Sequence, residues 1–249
     1  MSFLMDHDYL LKTESETIEI SNNKLSNWFN NYSKFISCLF QVAYYAGEEK
    51  DVESNDAYYM AFSHNQILKL PYTIRATSIL LERGFYLESA LLIRHILEVF
   101  VQLRFFNKYK ERVNNYILKK EKITFKTMFN EFNPKLYSTM YWGLSEAAHG
   151  GFGSTVYRTK YKSASEGTVI MGCIYDELFS NYLLNQLVPL IYGIINFIPV
   201  FFKQYKDLVP SNIELNRTSV LDKLKKLMNS LPKSEEFLKD IEPLIENGI

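Results

Sequence analysis

Several common sequence features are scarce or missing in this chain, and each absence excludes a class of protein. The 249 residues include two cysteines, Cys38 and Cys173, and no CxxC pair. Neither a disulfide framework nor a cysteine zinc site is therefore predicted, which is typical of a reducing compartment. The first residues lack a basic segment followed by an apolar run, so no signal peptide is expected. We expect a cytoplasmic protein.

The chain also lacks an excess of positive or negative charge and lacks common catalytic motifs. Lys plus Arg equals Asp plus Glu at 28 each, which predicts no global attraction to nucleic acid and leaves only local basic patches. No HExxH, GxSxG, GxGxxG or Walker pattern occurs, and the four histidines lack metal-ligand spacing. We expect no cofactor and no metal, although a metal site built from distant His and Glu side chains stays open.

Apolar residues make up 47% of the chain, and they concentrate in two long stretches. The first, 85–108, has no Gly or Pro between Glu88 and Phe106, which favours a buried helix. The second, 174–205, is about long enough to cross a bilayer. Its polar residues, its two prolines and the absence of a basic N-terminal flank favour a core helix over a membrane span. The prediction is an all-α helical bundle around these two helices.

One narrow polar stripe runs along the first apolar helix. Arg94 and Glu98 are one turn apart and can pair along it, while His95 and Gln102 fall on the same side. A buried Arg–Glu pair is weak support for stability because of its desolvation cost. The stripe is therefore either a structural bridge, for example at a dimer interface, or the lining of a site.

The remaining helices frame this centre. Ser21–Gly47 shows helical spacing, and Tyr58–Leu81 does so with Pro71 as an interruption or a new start. Asn133 and Pro134 are a favourable N-cap and first helical residue. The other predicted elements are a short β-hairpin or ordered excursion near 155–172 and amphipathic helices at Asn216–Asn229 and Ser234–Glu246. The predicted division is 1–55 as an N-terminal helix and loop, 56–209 as the helical core, and 210–249 as a C-terminal pair of helices.

Two further groups are candidates for function. Ser145 and His149 are one turn apart near a helix end, where the dipole favours a protonated imidazole. His149 either caps the helix or serves as a general acid or base in phosphodiester cleavage, with Arg94 stabilising the phosphate. Lys119 and Lys120 belong to a basic stretch with interleaved aromatics, which is either a solvated helix face or a nucleic-acid contact.

These residues carry a family resemblance. LERGFYLESALLIRHILEVFVQLRFF, followed by YWGLSEAAHG, resembles the all-helical HEPN-like proteins grouped as DUF5677. Their pattern is a glycine-containing turn, a helix with an Arg followed one turn later by a Glu, and a later Ser and His near a helix end. The matching positions are Arg94, Glu98, Ser145 and His149, and the resemblance spans roughly residues 65–205.

The resemblance implies a helical bundle that is often dimeric. It further implies metal-independent RNA cleavage within a toxin–antitoxin or anti-phage system, with RNA and an antitoxin or other defence protein as partners. The chain departs from the HEPN ribonuclease signature, in which four to six residues separate an Arg from a following His, because Trp, Gly and Leu stand at 142–144, ahead of His149. Arg94 would then supply the cation from another helix. The alternative is a non-catalytic dimeric binding or regulatory module whose Arg–Glu stripe is structural.

Overall fold

The computed structural model of the chain describes residues 7–48, 54–148, 159–163, 166–169 and 173–232. Within them the protein is an all-α helical bundle with a short hairpin, which confirms the predicted fold class. The elements in chain order are α1 (His7–Lys24), α2 (Ser26–Phe29), α3 (Tyr32–Ala46), α4 (Ser54–Glu82), α5 (Tyr86–Lys108), a 3₁₀ turn (Lys110–Arg112), α6 (Val113–Ile117), α7 (Phe125–Asn130), α8 (Pro134–Leu136), a π-helical turn (Tyr137–Tyr141), α9 (Trp142–Ala148), β1 (Thr159–Ser163), β2 (Glu166–Val169), α10 (Glu177–Phe201), α11 (Tyr205–Leu208) and α12 (Ser211–Ser230).

Helix α5 is the centre of the bundle. It packs against α4, α10, α9 and α7, and most of its apolar side chains are fully buried, among them Ile93, Ile96, Leu97, Phe100 and Phe105. Each such side chain contributes about 1.5–3 kcal/mol to stability relative to leaving it exposed. Because burial extends around most of the helix, the polar stripe is the part of α5 left to face solvent or a polar partner.

Helix α10 is the second apolar helix, and it begins at Glu177 rather than at 174. Asp176 caps it, because its carboxylate accepts a hydrogen bond from the backbone amide of Phe179 at 3.0 Å. By length and composition α10 could cross a membrane, but 72% of its most apolar window is buried inside the protein. This burial is typical of a core helix, as predicted for this stretch.

The turn between α4 and α5 depends on a glycine. Gly84 has φ +78°, a left-handed conformation that glycine adopts without steric cost. A Cβ at this position would lie 3.1 Å from the carbonyl oxygen of Ile174 and 3.1 Å from the Cγ2 methyl of Thr17. The close approach joins the turn to the segment that leads into α10.

Two helix boundaries differ from the sequence prediction. Pro71 lies inside the continuous helix α4, so the predicted interruption is wrong. A proline removes one backbone hydrogen bond, and the buried neighbours Ile67, Leu70 and Ile74 hold the helix against the bundle. The predicted helix Ser21–Gly47 is divided by short breaks after Lys24 and Phe29, and α1 already begins at His7.

The hairpin and the C-terminal helix can be compared with their predicted positions. Strands β1 and β2 pair antiparallel from Thr159 opposite Val169, which places a hairpin inside 155–172 as predicted. Helix α12 is longer than the predicted Asn216–Asn229, and it packs on α3 and α10. The predicted helix Ser234–Glu246 lies outside the described residues, and the division of the chain at 55 and 209 stays a prediction.

Candidate functional site

Arg94, His95, Glu98 and Tyr141 form a polar cluster on the exposed side of α5, and we refer to it as the Arg94 cluster. The Nε of Arg94 donates to Oε1 of Glu98 at 3.0 Å, and its Nη2 donates to the hydroxyl of Tyr141 at 2.8 Å. The guanidinium carbon lies 4.7 Å from the centroid of the Tyr141 ring, within range of a cation–π contact. Nδ1 of His95 lies 3.9 Å from Oε2 of Glu98. The predicted Arg94–Glu98 pairing is therefore present.

The helix that carries Tyr141 begins at the predicted start. The Asn133 side chain accepts a hydrogen bond from the amide of Lys135 at 3.0 Å, and Pro134 occupies the first helical position. The chain then passes through the π-helical turn that ends at Tyr141. Such turns are rare and occur frequently at functional sites. This turn directs the Tyr141 hydroxyl towards Arg94.

Aromatic packing fixes the Tyr141 ring. Its centroid lies 5.3 Å from that of Phe129, 5.8 Å from that of Phe125 and 5.1 Å from that of Tyr137. Pairs at these separations stabilise by about 0.5–1.5 kcal/mol beyond area burial. The phenol is thus an ordered partner for the guanidinium.

The electrostatics keep the cluster charged. Burial by itself would raise the pKa of Glu98, but hydrogen bonding from His95 and the positive charge of Arg94 outweigh it, so the pKa of Glu98 lies below its usual range. Burial and the nearby Glu98 carboxylate raise the pKa of the Tyr141 phenol. At neutral pH the cluster therefore holds a carboxylate, a guanidinium and a neutral phenol.

One edge of the Arg94 guanidinium is left for a ligand. Its Nε and Nη2 are engaged by Glu98 and Tyr141, and no hydrogen-bond partner of Nη1 lies in the part of the chain that the structure describes. The side chain retains 20% exposure and that of His95 retains 48%. A guanidinium that is fixed by two partners and lies beside an imidazole can bind an anionic oxygen through its remaining N–H groups.

Ser145 lies one turn beyond Tyr141, in a position unsuited to direct chemistry. Its side chain is buried, and its hydroxyl donates to the backbone carbonyl of Tyr141 at 2.7 Å. That hydrogen bond stays within the helix and fixes the turn that holds Tyr141. His149 lies outside the described residues, and its spacing from Ser145 remains the basis for placing it on this face.

The other predicted substrate-binding residues are Gln102, Lys119 and Lys120. Gln102 donates to the hydroxyl of Tyr116 at 3.2 Å and accepts from Gln66 at 3.4 Å. Tyr116 belongs to α6, whose end leads directly to the exposed Lys119 and Lys120. The connection between α6 and α7 is therefore tied to the polar stripe of α5 at Tyr116.

The backbone at Lys119 is unusual. The amide of Lys120 donates to the carbonyl of Asn115, and that of Lys119 donates to the carbonyl of Tyr116, which is the Schellman arrangement of a helix end. Lys119 has φ 56°, although this position is usually occupied by glycine. A lysine here costs about 1–2 kcal/mol in backbone strain.

Tyr141 is the member of the cluster that was not among the predicted site residues. It lies four residues before Ser145 and eight before His149, so helical spacing places all three on one face. The spacing of Tyr141 from Ser145 and His149 is the feature of the sequence that could have identified it as a member of the cluster. Within the described residues, no group of three or more His, Cys, Asp or Glu side chains is arranged to hold a metal ion.

The protein is an all-α bundle, and the Arg94 cluster joins its central helix α5 to the helix that carries Tyr141. Residues 68–131 match the model of a family of unknown function, DUF5677, which confirms that part of the resemblance. The matched range contains Arg94, Glu98 and the Lys119–Lys120 connection and ends before Ser145. No curated protein and no solved structure matches the chain.

Proposed function

We propose that the protein is a HEPN-like, metal-independent endoribonuclease, acting in the cytoplasm as a homodimeric effector of a toxin–antitoxin or anti-phage system. The observation that carries the proposal is the Arg94 guanidinium, which Glu98 and Tyr141 hold while its Nη1 has no hydrogen-bond partner among the described residues. A preorganised cation of this kind stabilises the charge that develops on a phosphate during cleavage.

The chemistry assigned to the site is transfer of the scissile phosphate to the neighbouring ribose 2′-oxygen. A base removes the 2′-hydroxyl proton, the new P–O bond forms, and the bond to the 5′-oxygen of the next nucleotide breaks with return of a proton. The products are a cyclic phosphate and a 5′-hydroxyl. His149 is the proposed acid or base, Arg94 binds the phosphate, and His95 lies beside it as a further donor.

The remaining predicted residues have supporting roles in this proposal. Glu98 orients Arg94, and Ser145 positions Tyr141 through its backbone. Gln102, Lys119 and Lys120 are assigned the binding of the RNA backbone. Lysines contribute to such binding mainly through phosphate contacts, so binding should weaken steeply as salt is raised.

Cleavage of a labelled single-stranded RNA in excess chelator tests the proposal. Wild-type protein is expected to cut without added metal, and His149→Ala and Arg94→Ala are expected to lose about a hundredfold or more in rate. His7→Ala is the matched control, because His7 is an exposed histidine on α1. Full activity in His149→Ala would exclude this mechanism.

A non-catalytic dimeric binding or regulatory module is the second candidate. It is favoured by the buried hydroxyl of Ser145 and by the way Arg94 and Tyr141 join α5 to the helix beyond Pro134. In this case Glu98→Ala should weaken folding or dimer formation, as followed by urea unfolding and by molar mass in solution. A variant that folds and assembles as the wild type does but loses RNA cleavage would contradict it.

A further inference from the structure

A groove lies between the start of α3 and the last turns of α12, and it shares no residue with the Arg94 cluster. Its volume is about 260 Å³, and Asn27 and Asn31 form one wall while Lys223 and Lys226 form the other. The buried side chains of Phe35 and Leu227 contribute its apolar lining. Sites for drug-sized ligands span roughly 300–1,000 Å³, so this groove has room only for a smaller molecule.

The groove carries positive charge that its own walls leave uncompensated. Lys223 and Lys226 are both exposed, and no carboxylate of the described residues forms a salt bridge with either. Lys34 adds a third ammonium, which lies 3.5 Å from Oδ1 of Asn31. Like charges three residues apart on a helix repel each other, and this local excess stands out in a chain whose net charge is zero.

The facing wall offers amides where carboxylates would neutralise the lysines. Asn31 donates to the backbone carbonyl of Asn27 at 2.9 Å, whereas the Asn27 side chain makes no hydrogen bond to the rest of the described chain. Helix α3 begins at Tyr32, beside Asn31, and the positive end of its dipole adds to the field. The negative end of the α12 dipole favours lysines in the last turns of that helix, but it does not explain why asparagines rather than carboxylates face them.

We propose that this groove binds a small phosphate monoester of about nucleoside monophosphate size. Two ammonium groups match the two charges of a terminal phosphate. The amide of Asn27 is left to hydrogen-bond the organic part, which the apolar lining from Phe35 and Leu227 accommodates. The site is a second binding site, independent of the ribonuclease proposal.

Calorimetric titration with adenosine monophosphate, inorganic phosphate and adenosine tests this site. The monophosphate should bind more tightly than either fragment, and the binding should weaken with added salt. The double variant Lys223→Gln/Lys226→Gln should lose at least about tenfold in affinity for it. Lys225→Gln is the matched control, because Lys225 is exposed on the same helix outside the groove, and it should bind as the wild type does.

Unchanged binding in the double variant, or equal affinity for inorganic phosphate and the monophosphate, would overturn the proposal. Absence of binding to the wild type would do the same. RNA cleavage measured on the double variant separates the two proposals, because the groove lies outside the Arg94 cluster. Loss of nucleotide binding with cleavage retained is the expected pattern.

Discussion

Two clusters in this bundle each contain an Arg, a Glu and a Tyr, but their hydrogen bonds are arranged differently. In the first, Arg94 contacts Glu98 through one nitrogen and Tyr141 through another, and the phenol accepts. In the second, on α12, Nε and Nη2 of Arg217 both donate to the carboxylate of Glu214, at 2.8 and 2.6 Å. The second pairing is bidentate, the stronger and more specific geometry for Arg and carboxylate.

The second cluster is also closed by its neighbours. The remaining Nη1 of Arg217 donates to the carbonyl of Ile195 in α10 at 3.2 Å, and the Tyr205 hydroxyl donates to Glu214 at 2.7 Å. The Arg217 side chain is 12% exposed. Every nitrogen of that guanidinium has a partner within the fold, so the cluster ties α12 to α10. In the Arg94 cluster, Nη1 of Arg94 has no partner within the described part of the chain and His95 is half exposed, so this cluster is open where the Arg217 cluster is closed.

Removing each arginine should separate these two roles most strongly. Arg217→Met leaves Glu214 and the Ile195 carbonyl short of a partner, and it should lower the free energy of unfolding by about 2–3 kcal/mol. Arg94→Met should lower it by only about 1 kcal/mol while abolishing RNA cleavage. Urea unfolding at neutral pH measures both variants. Equal losses of stability would contradict the distinction between the clusters.

Removal of one hydroxyl from each cluster should give a smaller effect of the same kind. Tyr205→Phe removes a hydrogen bond to a carboxylate, and we expect a loss of about 1.5 kcal/mol in the free energy of unfolding. Tyr141→Phe should cost about 1 kcal/mol or less and should slow RNA cleavage, because Arg94 loses one of its two supports. Cleavage assays under saturating RNA check this point. A Tyr141→Phe protein with normal cleavage would show that the phenol does not position Arg94.

Acid should weaken both clusters through their glutamates. The pKa of Glu98 and that of Glu214 lie below the ordinary 4.5. A carboxyl whose folded-state pKa is lowered stabilises the protein above its unfolded-state pKa, and that stability is lost as the pH falls through the folded-state value. The difference in unfolding free energy between wild type and Glu98→Gln should therefore shrink below about pH 4.5. Glu214→Gln provides the parallel measurement, and a difference that does not change with pH would contradict the assignment.

The smallest expected effect concerns backbone strain beside the Arg94 cluster. Lys119→Gly relieves the left-handed conformation at φ 56°, and it should raise the free energy of unfolding by up to about 1 kcal/mol. The same change at Lys120, which has no positive φ, should give no gain. Both variants lose one lysine, so both should bind RNA more weakly. A destabilised Lys119→Gly protein would show that the lysine side chain makes up for its strained backbone.

The bundle itself followed from local patterns in the sequence. The apolar stretch 85–108, which has no Gly or Pro between Glu88 and Phe106, predicted α5, and the Asn133–Pro134 pair predicted the start of the helix that carries Tyr141. Pro71 was misjudged because its effect depends on the packing of α4, which local spacing does not contain. The break between α2 and α3 was missed for the same reason, since apolar spacing continues across it.

Part of the candidate site could be predicted from the sequence. One-turn spacing was sufficient to pair Arg94 with Glu98, because both belong to one helix. The contact between Arg94 and Tyr141 joins residues 47 positions apart, and it required the π-helical turn to direct the phenol. The closed geometry around Arg217 likewise depends on a carbonyl from α10, which no periodicity in α12 foretells.

The all-α class, the two apolar helices and the Arg94–Glu98 pairing could be predicted from the sequence, because periodicity and capping act over a few residues. The tertiary structure was needed to show that all three nitrogens of the Arg217 guanidinium have partners, whereas Nη1 of Arg94 has none among the described residues. That distinction depends on hydrogen bonds and burial between distant segments. It also decided that Ser145 points into its own helix and that two lysines of α12 face two asparagines across a groove.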